Sequence, residues 1–168
     1  KYGADALRYY LLREIPPTED GDFTEEKFKK RYNGDLANGL GNLTARTVAL
    51  AKKTNFGVKT PSSKIKKAVK ETEKNCNKSL GEFKFNESLK SIWELIGFCD
   101  KYINEGRPWE VLQRGSGQAK KDANQVVSDS LFALQNIAEL LAPFLPETSE
   151  KIKQLIEKGK QEALFPRI

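Results

Sequence analysis

The chain has no histidine and no methionine among its 168 residues, and only two cysteines. Without histidine it lacks the commonest general base, and no nucleophile motif or glycine-rich phosphate loop takes its place. A zinc site needs clustered Cys, His or carboxylate ligands, and Cys76 and Cys99 stand far apart with no partner motif around either. We therefore expect no catalytic residue, no cofactor and no metal, and read both cysteines as buried free thiols on apolar helix faces. No run approaches the ~18 apolar residues of a membrane-spanning helix, and no signal peptide opens the chain. The sequence reads as soluble and cytoplasmic. A start at Lys1 with no methionine anywhere is what a fragment or a processed chain would show.

What the chain does have is positive charge and helical periodicity. Its formal charge is +6, with lysine supplying most of the excess, which suits a polyanionic partner such as nucleic acid. The length is that of one ordinary domain with a real core.

The rest is organised around the stretch from Phe23 to Lys53, which reads as one long helix. Thr24 is a good N-cap, Glu25 and Glu26 suit the positive helix end, and Phe23 and Phe28 have the spacing of a hydrophobic staple. Leu36, Leu40, Leu43, Thr47 and Leu50 fall on one stripe. Asn42 and Arg46 lie off it, one turn apart on the same face. By spacing alone they are an exposed polar pair; by chemistry, an amide and a guanidinium together suit the edge of a base. Gly34, Gly39 and Gly41 weaken a helix by about 1 kcal/mol each, and suggest close approach by another backbone or a ligand, or a kink.

Ahead of this helix, a short one is expected from Ala4 to Glu14, with Leu7, Tyr10, Leu11 and Ile15 on one side and Pro16 and Pro17 stopping it. Behind it, Gly57 and Pro61 mark a linker. A third helix begins near Ser63, with Ile65, Val69, Thr72, Cys76 and Leu80 inward. Its other face carries Lys64, Lys66, Lys67, Lys70 and Lys74, a solvated face that also suits a phosphate backbone. The fourth helix runs from about Lys84 to Asn104 on a seam of Phe85, Leu89, Ile92, Ile96, Cys99 and Ile103, with Trp93 anchored beside it. Gly106 is expected to end it, and Pro108 cannot continue it.

Trp109 is thereby left at a helix junction. There an indole either packs over the junction or offers a platform for an unpaired base, worth about 1–3 kcal/mol. Residues 113–122 read as a flexible loop, followed by a fifth helix from about Ala119 to Leu141 with Val127, Leu131, Leu134, Ala138 and Leu141 inward. A last helix, Pro146 to Lys158, buries Ile152, Leu155 and Ile156, and the tail docks back on the bundle. There is no convincing strand. The fold class is an all-α bundle of about five main helices after a short N-terminal one.

These pieces resemble methionyl-tRNA synthetases in the part that follows the catalytic domain. The matching blocks are YGADALRYYLLREIP at 2–16, DGDF at 20–23, LANGLGNLTARTV at 36–48, RPW at 107–109, APFLPETSEKI at 142–152 and LFPRI at 164–168. They stand in family order from end to end. The resemblance implies that residues 1–22 close the stem-contact fold and that 23–168 form the anticodon-binding bundle. It implies that Asn42 and Arg46 read the first anticodon base, the cytosine of CAU, and that Trp109, next to Pro108, stacks with the splayed bases. Asp35, two turns before Asn42, is a candidate helper that orients Arg46 indirectly. Neither the HIGH-type motif nor KMSKS nor a zinc knuckle is present. What the resemblance implies for the parent, joining methionine to its tRNA with ATP, is therefore not expected of this chain alone. Its implied partners are the tRNA anticodon loop and the parent's own catalytic domain, with no membrane. Two other readings stay open at this point: the equivalent bundle of a sister class I synthetase, and a helical protein–protein docking module.

Overall fold

In a computed structural model, which describes residues 2–15, 20–54, 60–160 and 162–168, the long helix is a continuous rod with an unexpected middle. It begins as α2 (Glu25–Arg31), widens into a π-helical segment (Tyr32–Gly41), and resumes as α3 (Asn42–Lys53). Thr24 caps it, its Oγ1 accepting from the Lys27 amide at 3.2 Å, and the Phe23 and Phe28 rings meet at 5.9 Å as a staple should. The stripe holds across the change of pitch: Leu36, Leu40, Leu43, Thr47 and Leu50 are all buried. Gly41 explains part of the glycine content. A Cβ there would sit 3.0 Å from the Leu36 carbonyl oxygen, five residues back, where a side chain would crowd the widened turn.

The N-terminal helix α1 (Ala4–Glu14) has the expected bounds but a different inner face. Asp5, Ala6, Tyr9 and Tyr10 are buried, whereas Leu7 and Leu11 are exposed. The reason lies in distant partners. Asp5 Oδ2 accepts from the Thr148 amide at 2.7 Å, in the first turn of α8 (Pro146–Lys158), whose own N-cap position, Leu145, has no side chain able to cap it. Asp5 thus acts as a remote cap, satisfying one of the orphan amides of that helix. Tyr9 packs against Trp93, the rings tilted by 31° with centres 4.3 Å apart, and donates its hydroxyl to Asp35 at 2.6 Å. Pro16 and Pro17, expected to stop α1, and Gly57 of the linker lie outside the described residues.

Helix α4 (Ser63–Gly81) is capped by Ser62 and buries Ile65, Val69, Thr72 and Cys76. It packs against α5 (Phe85–Gly106), where Ser88 Oγ donates to the Cys76 carbonyl at 3.1 Å. The α5 seam is as expected, with Leu89, Ile92, Ile96, Cys99 and Ile103 buried and Phe85 partly so. Both cysteines are buried and free, and burial pushes their thiols up to about 11 for Cys76 and about 12 for Cys99.

The junction after α5 differs from expectation. Arg107 takes the left-handed conformation (φ 39°, ψ 47°), and Pro108 at once begins a further helix, α6 (Pro108–Arg114). Proline suits the first helical position because its fixed φ and missing N–H cost nothing there. Gly106 is needed for another reason: a Cβ would meet Val126 Cγ2 at 2.8 Å on the crossing helix. The expected loop shrinks to Gly115 and Ser116 before α7 (Gly117–Leu141), the central helix of the core. A Cβ on Gly115 would lie 2.5 Å from the Val111 carbonyl oxygen, so glycine permits the tight exit from α6.

The tail docks as expected. Leu164 is buried, Phe165 meets Tyr32 edge-on at 5.8 Å, and the Asn33 side chain brackets the Ile168 backbone with bonds of 2.8 and 3.1 Å. The whole is all-α, with no strand among the described residues. Among those residues, no helix is long and apolar enough to cross a membrane.

Candidate nucleic-acid interface

Asn42 is the first residue of α3 and is exposed, and its amide has no hydrogen-bond partner among the described residues. One turn on, Arg46 reaches across to α5. Its Nη1 lies 3.0 Å from Asp100 Oδ1, and its Nη2 donates to Asn104 Oδ1 at 2.7 Å. The guanidinium carbon stands 5.4 Å from the centre of the Trp109 ring. Trp109 is the second residue of α6 and is half-buried, while Pro108 beneath it is buried. The αL turn at Arg107 and the proline start of α6 bring the indole to the same place as Arg46.

This is an arrangement for orientation more than for stability. The Arg46 and Asp100 side chains are each about one-third exposed, and ion pairs of that kind are worth about 0–1 kcal/mol. What the contacts do is remove rotamer freedom from a long side chain. A guanidinium carries five N–H donors in a rigid plane. With two engaged on α5, the others are presented in a fixed orientation beside an aromatic face.

Two elements of this cluster escaped the sequence. Asp100 and Asn104 follow Cys99 and Ile103 at the same four-residue interval, so once that seam is set they share one flank of α5; nothing in the sequence pointed that flank at Arg46. Asp35 is corrected. It accepts from Tyr9 and from Arg31 Nη1 at 3.1 Å, and Trp93 Nε1 donates to its carbonyl at 3.3 Å. It therefore fastens the π-helical segment to α1 and α5 and makes no contact with Arg46. Burial, with Asp35 beside it, holds the Tyr9 hydroxyl far above the usual tyrosine range.

The opposite flank of α5 is held by a second carboxylate. Asp129 of α7 is fully buried and accepts from the Ser62 amide at 2.8 Å, Ser62 Oγ at 2.6 Å, Tyr102 Oη at 2.8 Å and Gln125 at 3.0 Å. Desolvation first, and then the bond to Asp129, raise the Tyr102 hydroxyl to about 12. This hub fixes the start of α4 against α5 and α7. Among the described residues, no group of three or more His, Cys, Asp or Glu is placed to hold a metal ion.

Residues 63–166 match the family described as "Anticodon-binding domain of tRNA ligase", and residues 1–48 match "tRNA synthetases class I (M)". The methionine–tRNA ligase of Lactococcus lactis is 40% identical over 159 residues, covering 90% of this chain and 24% of its own length. That of Clostridium perfringens is 41% identical over 158 residues, again covering 90% of this chain and 24% of its own length. The chain thus spans about a quarter of the length of these relatives. Among solved structures, the apo form of Mycobacterium tuberculosis methionyl-tRNA synthetase shares the fold, with a TM-score of 0.89 at 24% identity over 99% of this chain and 39% of that one. The methionyl-adenylate-bound form gives 0.86 at 27% identity, over 92% of this chain and 32% of that one.

Proposed function

The chain belongs to the anticodon-binding-domain family of tRNA ligases, and on that premise we propose that it is the anticodon-reading part of a methionine–tRNA ligase used in translation. Asn42 and Arg46 read the cytosine that opens the CAU anticodon, and Trp109, set by Pro108, stacks the splayed bases. The observation that carries this reading is the fixed guanidinium: Arg46 is held by Asp100 and Asn104 against the Trp109 ring, with the unbonded Asn42 amide one turn away. Single-stranded RNA is recognised in this way, by stacking on aromatic faces and hydrogen bonds to Watson–Crick edges. Asn42 both donates and accepts, matching a cytosine edge that offers an amino donor beside ring and carbonyl acceptors, and Arg46 adds donors to the acceptors. Lysines and arginines supply affinity through phosphates, while these residues supply specificity.

Residues 1–22 close the stem-contact fold and 23–168 form the anticodon bundle. Activation of methionine with ATP belongs to the catalytic domain of the parent chain, which is the other partner of this module. Binding of this chain to an anticodon stem-loop carrying CAU, beside one differing only in its first base, tests the reading. A clear preference for CAU supports it, and equal binding defeats it.

A further inference from the structure

Helix α4 holds six lysines, at 64, 66, 67, 70, 74 and 78, against two glutamates, a net +4 of the chain's +6. Lys66, Lys70, Lys74 and Lys78 recur every four residues and form one exposed stripe about 18 Å long, on the side away from the buried Ile65, Val69, Thr72 and Cys76. Like charges four apart on a helix repel, by about 0.2–0.5 kcal/mol per pair. Glu71 and Glu73 lie on the same helix, yet no ion pair to any of the four lysines forms among the described residues. Glu71 and Glu73 flank the stripe without closing on it, so the helix keeps a net positive rail.

The start of α4 and the Arg46 site stand on opposite flanks of α5. Arg46 touches Asp100 and Asn104 on one flank of α5, and on the other flank Lys64 lies 5.5 Å over Phe98 and 5.2 Å over Tyr102, two rings stacked within 5° of parallel. Asp129, through Ser62 and Tyr102, locks the start of α4 in that position.

We propose that the Lys66–Lys70–Lys74–Lys78 stripe of α4 is a second RNA contact, which follows the phosphate backbone of the strand whose unpaired bases lie at Arg46 and Trp109. The occupant is chosen by charge complementarity: a line of exposed cations about 6 Å apart suits a regular polyanion better than a folded acidic surface. This rests on the RNA-binding role proposed above, and the stripe carries no base specificity.

The test compares three forms of the whole chain: wild type, the variant K66Q/K70Q/K74Q/K78Q, and a control, K27Q/K30Q/K153Q/K158Q, that removes equal charge from other exposed positions. Glutamine is about as good a helix former as lysine, and circular dichroism checks that each form is folded. The probe is the CAU anticodon stem-loop, titrated over a range of salt. The α4 variant should bind at least tenfold more weakly at moderate salt, with a log–log salt slope shallower by about 3, while its preference for CAU is unchanged. The control should move the slope by less than 1.

Equal losses in the two variants would mean diffuse attraction and overturn the proposal, as would no loss in either. RNA binding left intact while adsorption to vesicles of acidic phospholipid falls would assign the stripe to a membrane surface and overturn it too. A wild type that binds RNA without base preference would defeat the CAU reading alone, since the slope comparison would still decide the stripe. No RNA binding by the wild type would overturn both.

Discussion

The guanidinium carbon of Arg46 lies 5.4 Å from the centre of the Trp109 ring, although the two residues stand on different helices. Neither is free to wander, since α5 holds the arginine and Pro108 and the core hold the indole. On the proposed function, a base entering beside them meets donors and a stacking face that are already placed. Pre-organisation of this kind lowers the ordering cost of binding.

The tether can be cut without touching Arg46, the proposed reader. Asp100→Ala leaves Arg46 in place but unanchored on one nitrogen. We expect discrimination at the first anticodon base to fall several-fold, with the stability change within about 1 kcal/mol because the pair is part-exposed. Stem-loop binding and a denaturant titration on the same variant check both halves. A loss of affinity shared equally by all stem-loops would assign Asp100 no role in orientation.

Trp109→Ala should weaken stem-loop binding by about 1–3 kcal/mol, the value of a stacked base, with similar effects on every loop sequence. The ring is half-buried against the core, so a modest fall in melting temperature should accompany it. Collapse of the fold would make Trp109 a core residue first.

Asp5→Ala removes the remote cap of α8 and should destabilise the chain by about 0.5–2 kcal/mol, with part of the loss recovered by Asp5→Asn. Base preference should not move, since α8 is not part of the proposed reading site.

Alkaline pH reports on the Asp129 hub. The Tyr102 hydroxyl titrates near 12 in the folded chain, above its ordinary value of about 10. The neutral form is the one folding favours, so its contribution is full below about pH 10 and is lost as pH rises toward 12. The stability gap between wild type and Tyr102→Phe, followed by denaturant titration from pH 9 to 12, should shrink across that window. A gap constant with pH would remove the hydroxyl from the hub.

Local rules reached far into this fold. Thr24, the Phe23–Phe28 staple, the Leu36–Leu50 stripe and the α5 seam obey helical spacing, and all are legible in the sequence. The failures share a cause, which is that distant partners decided them. Asp5 and Tyr9 turned α1 because Thr148 and Asp35 needed them, and no periodicity encodes that. Trp93 and the docked tail bond to the π-helical segment and Gly41 leaves its widened turn uncrowded, while propensity distinguishes only helix from not-helix. Helix α6 is not legible because the glycines at 115 and 117 suggest a long loop, whereas they mark a two-residue break. Asn42, Arg46 and Trp109 stand out in the sequence by residue type and by the resemblance, and packing brings Arg46 and Trp109 together. That Asp100 and Asn104, and not Asp35, hold Arg46 needed the packing of α3 on α5.

The most direct measurement is a two-by-two comparison: wild type and Arg46→Ala, each against the CAU stem-loop and one altered at the first base. The account predicts that wild type prefers CAU by about 1–3 kcal/mol, the worth of a good specific contact, and that most of this difference disappears in the variant. If Arg46→Ala weakens both stem-loops equally and the preference survives, Arg46 is a phosphate contact, and the central claim is wrong.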